Sequence, residues 1–151
     1  MSSIVLEKQA SQRTIDSIYK IVQDYTSDYF THNLPDDTKN DLMFQQVIYL
    51  ENNNEIATFI IFTCWDGSPH ITLMATKREF SGKGLGKRLI LHLVSYLTEL
   101  GFNRIELLTV PPKVKPVYKN TIAFYESVGF TIEKEYSQLW EAGAVKMIKT
   151  W

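Results

Sequence analysis

The sequence predicts a mixed α/β fold, in which a twisted mixed sheet of about six or seven strands is flanked by about four helices. Runs rich in β-branched and aromatic residues alternate along the chain with segments whose apolar residues recur at threes and fours. A glycine cluster lies between one such strand and one such helix, and a further apolar strand follows that helix. With 151 residues, 44% of them hydrophobic, the chain is expected to form a single domain over residues 1–151.

The N-terminal half alternates between helices and strands. Apolar residues from Ser11 to Phe30 follow the helical period, so one helix is expected to cover that range. Pro35 followed by two aspartates is typical of a helix start and predicts a second, short helix over 36–44. The strands predicted in this half cover residues 3–8, 46–51, 55–64 and 70–76, with an asparagine turn at 52–54.

The C-terminal half contains a predicted βαβ unit. A helical pattern begins at Leu85 and stops near Gly101, and the apolar strand 104–110 is expected to return parallel to strand 70–76. Three prolines in residues 111–116 predict a stiff exposed loop. The remaining elements are a helix capped by Asn120 and ending near Val128, and strands over 130–139 and 144–151 joined by a turn around Gly143.

Charge and cysteine content exclude several classes of function. The chain has 16 Lys and Arg against 17 Asp and Glu, and its net charge of −1 attracts neither nucleic acid nor an anionic membrane. It lacks both an N-terminal leader pattern and the run of about 20 apolar residues that a membrane span needs. The single cysteine, Cys64, cannot form an internal disulfide and is expected to be a buried strand residue. We therefore expect a cytoplasmic protein, and no spacing of His, Cys or carboxylates suggests a metal site.

The segment Ser81-Gly82-Lys83-Gly84-Leu85-Gly86 predicts a site for a phosphate-bearing cofactor. Backbone N–H groups at a helix N-terminus bind anions, and glycines let the backbone approach closely and adopt positive φ. Lys83, Lys87 and Arg88 add positive charge. A simple strand-to-helix turn is the alternative, but three glycines together with three basic residues favour phosphate binding.

Two other phosphate motifs do not fit this segment. In the dinucleotide fingerprint G-x-G-x-x-G, the third glycine would fall on Lys87 or Leu89. In a P-loop, Gly86-Lys87 would be followed by a Ser or Thr that binds Mg²⁺, and Arg88 stands there instead. A nucleotide-binding protein is therefore kept only as a third interpretation.

The stretch from Leu73 to Gly86 resembles the central motif of the GNAT superfamily of N-acetyltransferases, in which a strand leads into R/Q-x-x-G-x-G/A. Ser81, Gly84 and Gly86 stand at its marked positions, so the first one departs from Arg or Gln. Because that residue acts largely through its backbone N–H, the departure is expected to be tolerated.

A second stretch, Ile122 to Phe130, is similar to the family's later motif A-x-x-x-Y-x-x-x-G-F. Tyr125 and the Gly-Phe end match, whereas Thr121 replaces the alanine. The asparagine often found seven residues before the tyrosine falls on Tyr118, so Asn120 is out of register. The order of elements also agrees with the family over nearly the whole chain.

The resemblance implies a GNAT-like fold, acetyl-CoA as cosubstrate and direct transfer of its acetyl group to an amine in a ternary complex. Tyr125 is expected to be catalytic by protonating the leaving thiolate, with a packing role as the alternative. Backbone N–H groups at the end of strand 70–76 are expected to hold the thioester carbonyl. The expected cofactor-binding residues are Met74, Ala75, Thr76, Ser81, Gly82, Lys83, Gly84, Leu85, Gly86, Lys87 and Asn120.

Neither the general base nor the acceptor is determined by the sequence. A water chain, Glu51, His70 and Glu106 are all left open as the base. The expected partners are acetyl-CoA and an amine-bearing small molecule or peptide, and a homodimer is left open. The alternative function is a non-catalytic acyl-CoA-binding or regulatory module on the same fold. Loop 111–116 is longer than the connection usual in the family and is expected to border the acceptor site.

Overall fold

A computed structural model describes residues 2–140 and 143–151. Within these residues the chain forms seven strands and four α-helices. The strands are β1 Ser2–Glu7, β2 Gln46–Asn52, β3 Glu55–Trp65, β4 Ser68–Thr76, β5 Arg104–Thr109, β6 Thr131–Tyr136 and β7 Ala144–Thr150. The helices are α1 Gln12–Asp24, α2 Leu34–Leu42, α3 Leu85–Glu99 and α4 Tyr118–Ser127.

All seven strands belong to one mixed sheet with the order β1-β2-β3-β4-β5-β7-β6. The pairing of β4 with β5 is parallel and every other pairing is antiparallel. A parallel pair needs a long crossover, which α3 supplies. The predicted fold class and the predicted βαβ unit are therefore confirmed.

Helices pack on both faces of this sheet, because alternate residues of each strand point to opposite sides. On one face, Leu93 of α3 and Ile122 of α4 share a core with Leu107 of β5. On the other face, Ile18 of α1 packs in a second core with Phe59 of β3. None of the helices in the described part of the chain is long and apolar enough to cross a membrane.

Three helix boundaries differ from the prediction. The helix expected over 11–30 ends at Asp24 in a short 3-10 turn, because the N–H groups of Tyr29 and Phe30 both donate to the Tyr25 carbonyl, at 3.0 and 2.9 Å. Helix α2 begins two residues early, at Leu34. Helix α4 begins at Tyr118, so the expected capping role of Asn120 is wrong.

Strands β4 and β5 pair over a short distance and then separate. Their ladder consists of His70 opposite Glu106 and Ile71 opposite Leu107. On the other edge of β4, Phe62 pairs with Ile71 but Ile61 pairs with Leu73, so Thr72 is an extra residue in β4. Such a bulge bends its strand. The C-terminal part of β4 therefore has an edge without a partner strand in the described sheet.

Candidate active site

The glycine loop between β4 and α3 presents backbone to open space. Gly82 and Gly84 have φ of 76° and 74°, in the left-handed region that favours glycine. A Cβ atom built on either residue would have no atom within 4 Å. These two glycines therefore set the turn of the loop and leave its outer surface free for a ligand.

A row of N–H groups lines this loop. The first helical bond of α3 runs from the Arg88 N–H to the Gly84 carbonyl, at 3.2 Å, and Gly84 provides no side-chain cap. The N–H groups of residues 82–87 donate to no other residue that the structure describes. Unsatisfied N–H groups carry the positive end of the helix dipole.

Basic side chains strengthen the positive potential at this end of α3. Lys83, Lys87 and Arg88 are exposed, and none of them forms an ion pair with a described carboxylate. The free N–H groups, the open backbone and these charges fit a diphosphate group. A cofactor role for these loop residues stays a prediction.

Gly86 has a different role from the other two glycines. It is buried, and a Cβ built on it would lie 3.1 Å from the Met74 Cε and 3.2 Å from the Phe124 Cζ. Both distances are shorter than ordinary Cβ contacts. Gly86 thus lets the first turn of α3 pack closely against β4 and α4.

The backbone of β4 beyond the bulge faces the gap between β4 and β5. The Lys77 N–H bonds to β3 at the Ala57 carbonyl, and the Ala75 carbonyl accepts from the β3 side chain of Thr58 at 3.1 Å. Since alternate strand residues direct their N–H and C=O groups to opposite edges, Met74 and Thr76 direct theirs into the gap. The polar backbone groups of Ala75 face β3 instead.

Tyr125 is almost completely buried on α4. Its ring packs between Phe124 and Phe130, with centroids 5.4 and 5.3 Å away. Burial and, less strongly, the nearby Tyr118 raise the pKa of its hydroxyl above the usual value of 10. The phenol is therefore protonated at neutral pH, and its hydroxyl donates to no residue in the described part of the chain.

The sequence matches one family over most of its length. The profile of the Acetyltransferase (GNAT) family matches residues 15–130. The chain belongs to the GNAT acetyltransferase family. A comparison with curated protein sequences gives no match.

Solved GNAT structures share the fold of this chain. The ribosomal-protein-S18-alanine N-acetyltransferase from Escherichia coli has a TM-score of 0.77 at 18% identity, over 99% of this chain and 94% of that one. The PaiA N-acetyltransferase from Thermoplasma acidophilum, in complex with coenzyme A, has a TM-score of 0.73 at 15% identity, over 99% of both chains. Identities this low establish the fold, and the family profile independently establishes the membership.

In this GNAT domain, the segment after α1 connects the end of β4 to the start of α4. The Tyr25 hydroxyl donates to the Thr76 carbonyl at 2.5 Å, and the Arg78 guanidinium lies 4.2 Å from the Tyr25 ring centroid. Farther along, the Tyr29 carbonyl accepts from the Tyr118 hydroxyl at 2.8 Å and from the Lys115 Nζ at 2.9 Å. Residues 25–30, here named the bridging segment, are thus held at both ends.

Asn120 lies beside the bridging segment. Its Nδ2 is 3.5 Å from the Tyr29 hydroxyl, and its side chain is exposed in the first turn of α4. No contact with the glycine loop is observed for it. A coenzyme contact for Asn120 therefore stays a prediction.

Of the three side chains considered as the base, Glu51 lies apart from the other two. Glu51 pairs with Arg13 at 3.2 Å and lies on β2, away from the gap. His70 and Glu106 are opposite each other on β4 and β5, at the last rungs before the strands separate. The structure thus brings together two of these candidates at the closed end of the gap.

Other expectations about reactive groups concern Cys64 and metals. The cysteine is exposed at the end of β3, so the prediction that it is buried is wrong. It lies where the strand extends past the core into a turn. No group of three or more potential metal ligands is found among the described residues.

Sequence reasoning missed the residues of the bridging segment and the aromatic groups near His70. The hydrogen-bond partners of Tyr25, Tyr29 and Arg78 lie about 50 to 90 residues away from them in sequence. Trp65 lies with its ring centroid 5.7 Å from that of His70. The tyrosines do stand in the helical apolar pattern, but that pattern indicates only burial.

Proposed function

We propose that this GNAT domain transfers the acetyl group of acetyl-CoA to a primary amine by direct attack in a ternary complex. The observation that carries the proposal is the gap between β4 and β5, which opens beside a free anion site at the N-terminus of α3. A coenzyme bound at both places would reach the middle of the sheet. Family membership supports the same cosubstrate.

Each part of the site is suited to one part of the cosubstrate. The N–H groups of residues 82–87 would hold the diphosphate, with help from Lys83 and Lys87. The outward N–H and C=O groups of Met74 and the N–H of Thr76 would pair with the amides of the pantetheine arm, as a neighbouring strand would. The Thr76 carbonyl is occupied by the Tyr25 hydroxyl. When bound, acetyl-CoA supplies an activated acetyl thioester.

Thiolate release is the role proposed for Tyr125. A thiol has a pKa of about 8.5 and a phenol about 10, and burial raises the pKa of Tyr125 further. Complete proton transfer from the phenol to the thiolate is therefore uphill. A hydrogen bond from the hydroxyl to the developing sulfur charge stabilises the transition state without that transfer.

The acceptor must lose a proton before it attacks. A lysine-like amine with a pKa of about 10.4 is neutral only about 0.04% of the time at pH 7. The Escherichia coli neighbour is a ribosomal-protein-S18-alanine N-acetyltransferase, so the acceptor of that enzyme is an amine. Amines, as small molecules or in peptides, are the acceptor class that we propose here.

The experiment that tests this function is a free-thiol assay with acetyl-CoA and a panel of amines, including polyamines, aminoglycosides and peptides. We expect amine-dependent thiol release, with product acetylated on nitrogen by mass spectrometry. Tight coenzyme binding without turnover on any amine would instead support a non-catalytic acyl-CoA-binding module. A burst of thiol before the amine is added would contradict direct attack, because it requires an acetylated enzyme.

A further inference from the structure

We infer that His70 is the group that accepts the proton of the acceptor ammonium, with Glu106 opposite it on β5. The inference rests on the proposed function and adds the residue that the sequence left open. It is carried by the position of His70 at the closed end of the gap, by a ring without hydrogen-bond partners, and by a cavity lined by both His70 and Leu108.

The ring of His70 has unused hydrogen-bonding capacity. Its Nδ1 is buried and has no partner among the described residues. Buried polar atoms are almost always paired, since leaving one unpaired costs about 1–3 kcal/mol. Because the buried Nδ1 is out of reach of a substrate, Nε2, which has no hydrogen bond to a described residue, is the nitrogen that can accept a proton.

An open cavity of about 460 Å³ lies against His70. Leu108, the first β5 residue beyond the last rung with β4, lines the same cavity. Trp65 and Tyr136 provide aromatic walls. An acceptor in this cavity would meet the imidazole and Leu108, which borders the opening between the strands.

Charged groups from several strands face the imidazole. Glu106 on β5 and Lys146 on β7 act on it with opposite sign, and Arg104 and Glu133 pair with them in one network. Asp66, in the β3–β4 turn, and the Tyr136 phenol also line this side of the sheet. Burial lowers the pKa of His70, while Glu106 opposes the effect and Lys146 adds to it. The ring is therefore neutral at pH 7 and able to accept a proton.

The proton balance of the step is complete. The ammonium N–H bond breaks, its proton passes to a ring nitrogen of His70, and the freed amine attacks the thioester carbonyl. The C–S bond breaks, and the second proton on nitrogen goes to the sulfur. His70 then returns its proton to water, so each turnover forms one amide and one thiol and releases one proton.

The test is the pH dependence of kcat/KM in the parent and in His70→Gln. For a lysine-like acceptor we expect a loss of about 10²-fold or more at pH 7, which becomes smaller as pH rises and the amine deprotonates unaided. For a peptide α-amine, whose pKa is about 7.7–8.0, the loss should be smaller. A purely structural role would lower activity equally at every pH and with both acceptors.

Glu106→Gln supplies a second, independent readout. Removing this negative charge should lower the pKa of His70, and the acid limb of the profile should move to lower pH by the same amount. The shift is measured without substrate by NMR titration of the three histidines, with His32→Gln and His92→Gln to assign the other signals. Both control histidines are exposed, and these variants should keep the parental profile.

The outcomes separate this inference from the proposed function. If the parent acetylates amines and His70→Gln keeps its rate and pH profile, His70 is not the base and the acetyltransferase assignment stands. If Glu106→Gln lowers the pKa of His70 measured by NMR but leaves the acid limb of the kcat/KM profile at its parental pH, the inference also fails. If the parent acetylates no amine, both the proposed function and the inference are overturned.

Discussion

The Tyr125 ring is packed between aromatic side chains, and this sets what its hydroxyl can do. Its ring is fixed between Phe124 and Phe130, so it cannot move toward a substrate without disturbing the core. Because burial raises its pKa, it is a donor at all physiological pH values and never a base. At the scale of single residues, the proposed mechanism therefore assigns proton donation to α4 and proton acceptance to β4.

Removing only this hydroxyl tests its role. In Tyr125→Phe the ring still fills its place, so we expect coenzyme affinity and thermal stability close to those of the parent. We expect kcat at saturating acetyl-CoA to fall by about 10²-fold, the size typical of a lost transition-state hydrogen bond. A fall confined to KM, or of less than about threefold in kcat, would leave Tyr125 with a packing role.

Tyr96→Phe is the matched control for this substitution. Tyr96 lies on α3 and packs its ring against Phe62, with centroids 6.3 Å apart, on the core side of the sheet. Its variant also loses one phenol hydroxyl next to an aromatic ring. We expect its kcat to equal that of the parent.

The bridging segment and loop 111–116 act together at the scale of elements. Lys115 of the loop and Tyr118 of α4 both donate to the Tyr29 carbonyl, while Tyr25 holds the end of β4. The segment therefore spans the opening between β4 and α4. From this position we propose that it limits which acceptors can reach that opening.

Shortening the loop should change acceptor choice. Deletion of Lys113 and Val114, both exposed, draws in the loop and pulls Lys115 away from Tyr29. We expect the ranking of amines by kcat/KM to change, with the Kd of acetyl-CoA within about twofold of the parent because the glycine loop is untouched. An unchanged ranking would show that the loop is a surface insertion without a role in specificity.

Glu7 joins β1, β2 and α1 at one junction. Its carboxylate accepts from the Ser11 N–H at 2.8 Å, the Thr14 hydroxyl at 2.7 Å and the Tyr49 hydroxyl at 2.5 Å. Burial alone would raise the pKa of Glu7, but these hydrogen bonds lower it below 4.5. The stabilisation by Glu7 is thus fully present above the pKa that this carboxyl has in the unfolded chain. It is lost as the pH falls through the lower pKa that the carboxyl has in the folded protein.

Glu7→Gln should therefore reduce the free energy of unfolding by about 1 kcal/mol at pH 7, since an amide accepts these bonds less well. The difference in unfolding free energy between the parent and Glu7→Gln should become smaller as the pH falls below about 4.5, because the parental carboxylate is then protonated and uncharged like the amide. Urea unfolding at several pH values measures it. Glu135→Gln, on an exposed position of β6, is the control and should leave stability nearly unchanged at every pH. A difference in unfolding free energy between the parent and Glu7→Gln that stays constant down to pH 3 would contradict the role assigned to Glu7.

Elements with their own periodicity could be predicted from the sequence, and those set by distant contacts could not. Helix α3 begins at Leu85 as predicted, because the glycines and the apolar pattern are local signals. The end of α1 was misjudged because Tyr25 continues the helical pattern, while its contacts with Thr76 and Arg78 stop the helix. Similarly, nothing local to Tyr118 indicates that α4 begins there.

At the scale of the whole molecule, the site exists because one sheet contains a single parallel pair. The antiparallel neighbours of β4 and β5 continue on either side, and the bulge at Thr72 directs β4 away from β5. The same crossover that makes the pair parallel places the N-terminus of α3 at the end of β4. The order of elements predicted this arrangement, but the two rungs that end at Ile71 could be found only from the structure.

The central claim is that the free N–H groups after β4 bind the diphosphate of acetyl-CoA. Gly84 and Gly67 provide a matched pair, since both have positive φ, at 74° and 81°, and a Cβ on either would meet no atom within 4 Å. Gly84→Asp and Gly67→Asp therefore add the same strain and the same charge, one at the α3 N-terminus and one in the β3–β4 turn.

Isothermal titration of acetyl-CoA into the parent and these two variants is the most direct measurement of this claim. We expect Gly84→Asp to weaken binding by at least about 10²-fold, because a carboxylate takes the place of the phosphate and repels it. We expect Gly67→Asp to bind with the parental Kd. Parental affinity in Gly84→Asp, or an equal loss in both variants, would contradict a diphosphate site at the start of α3.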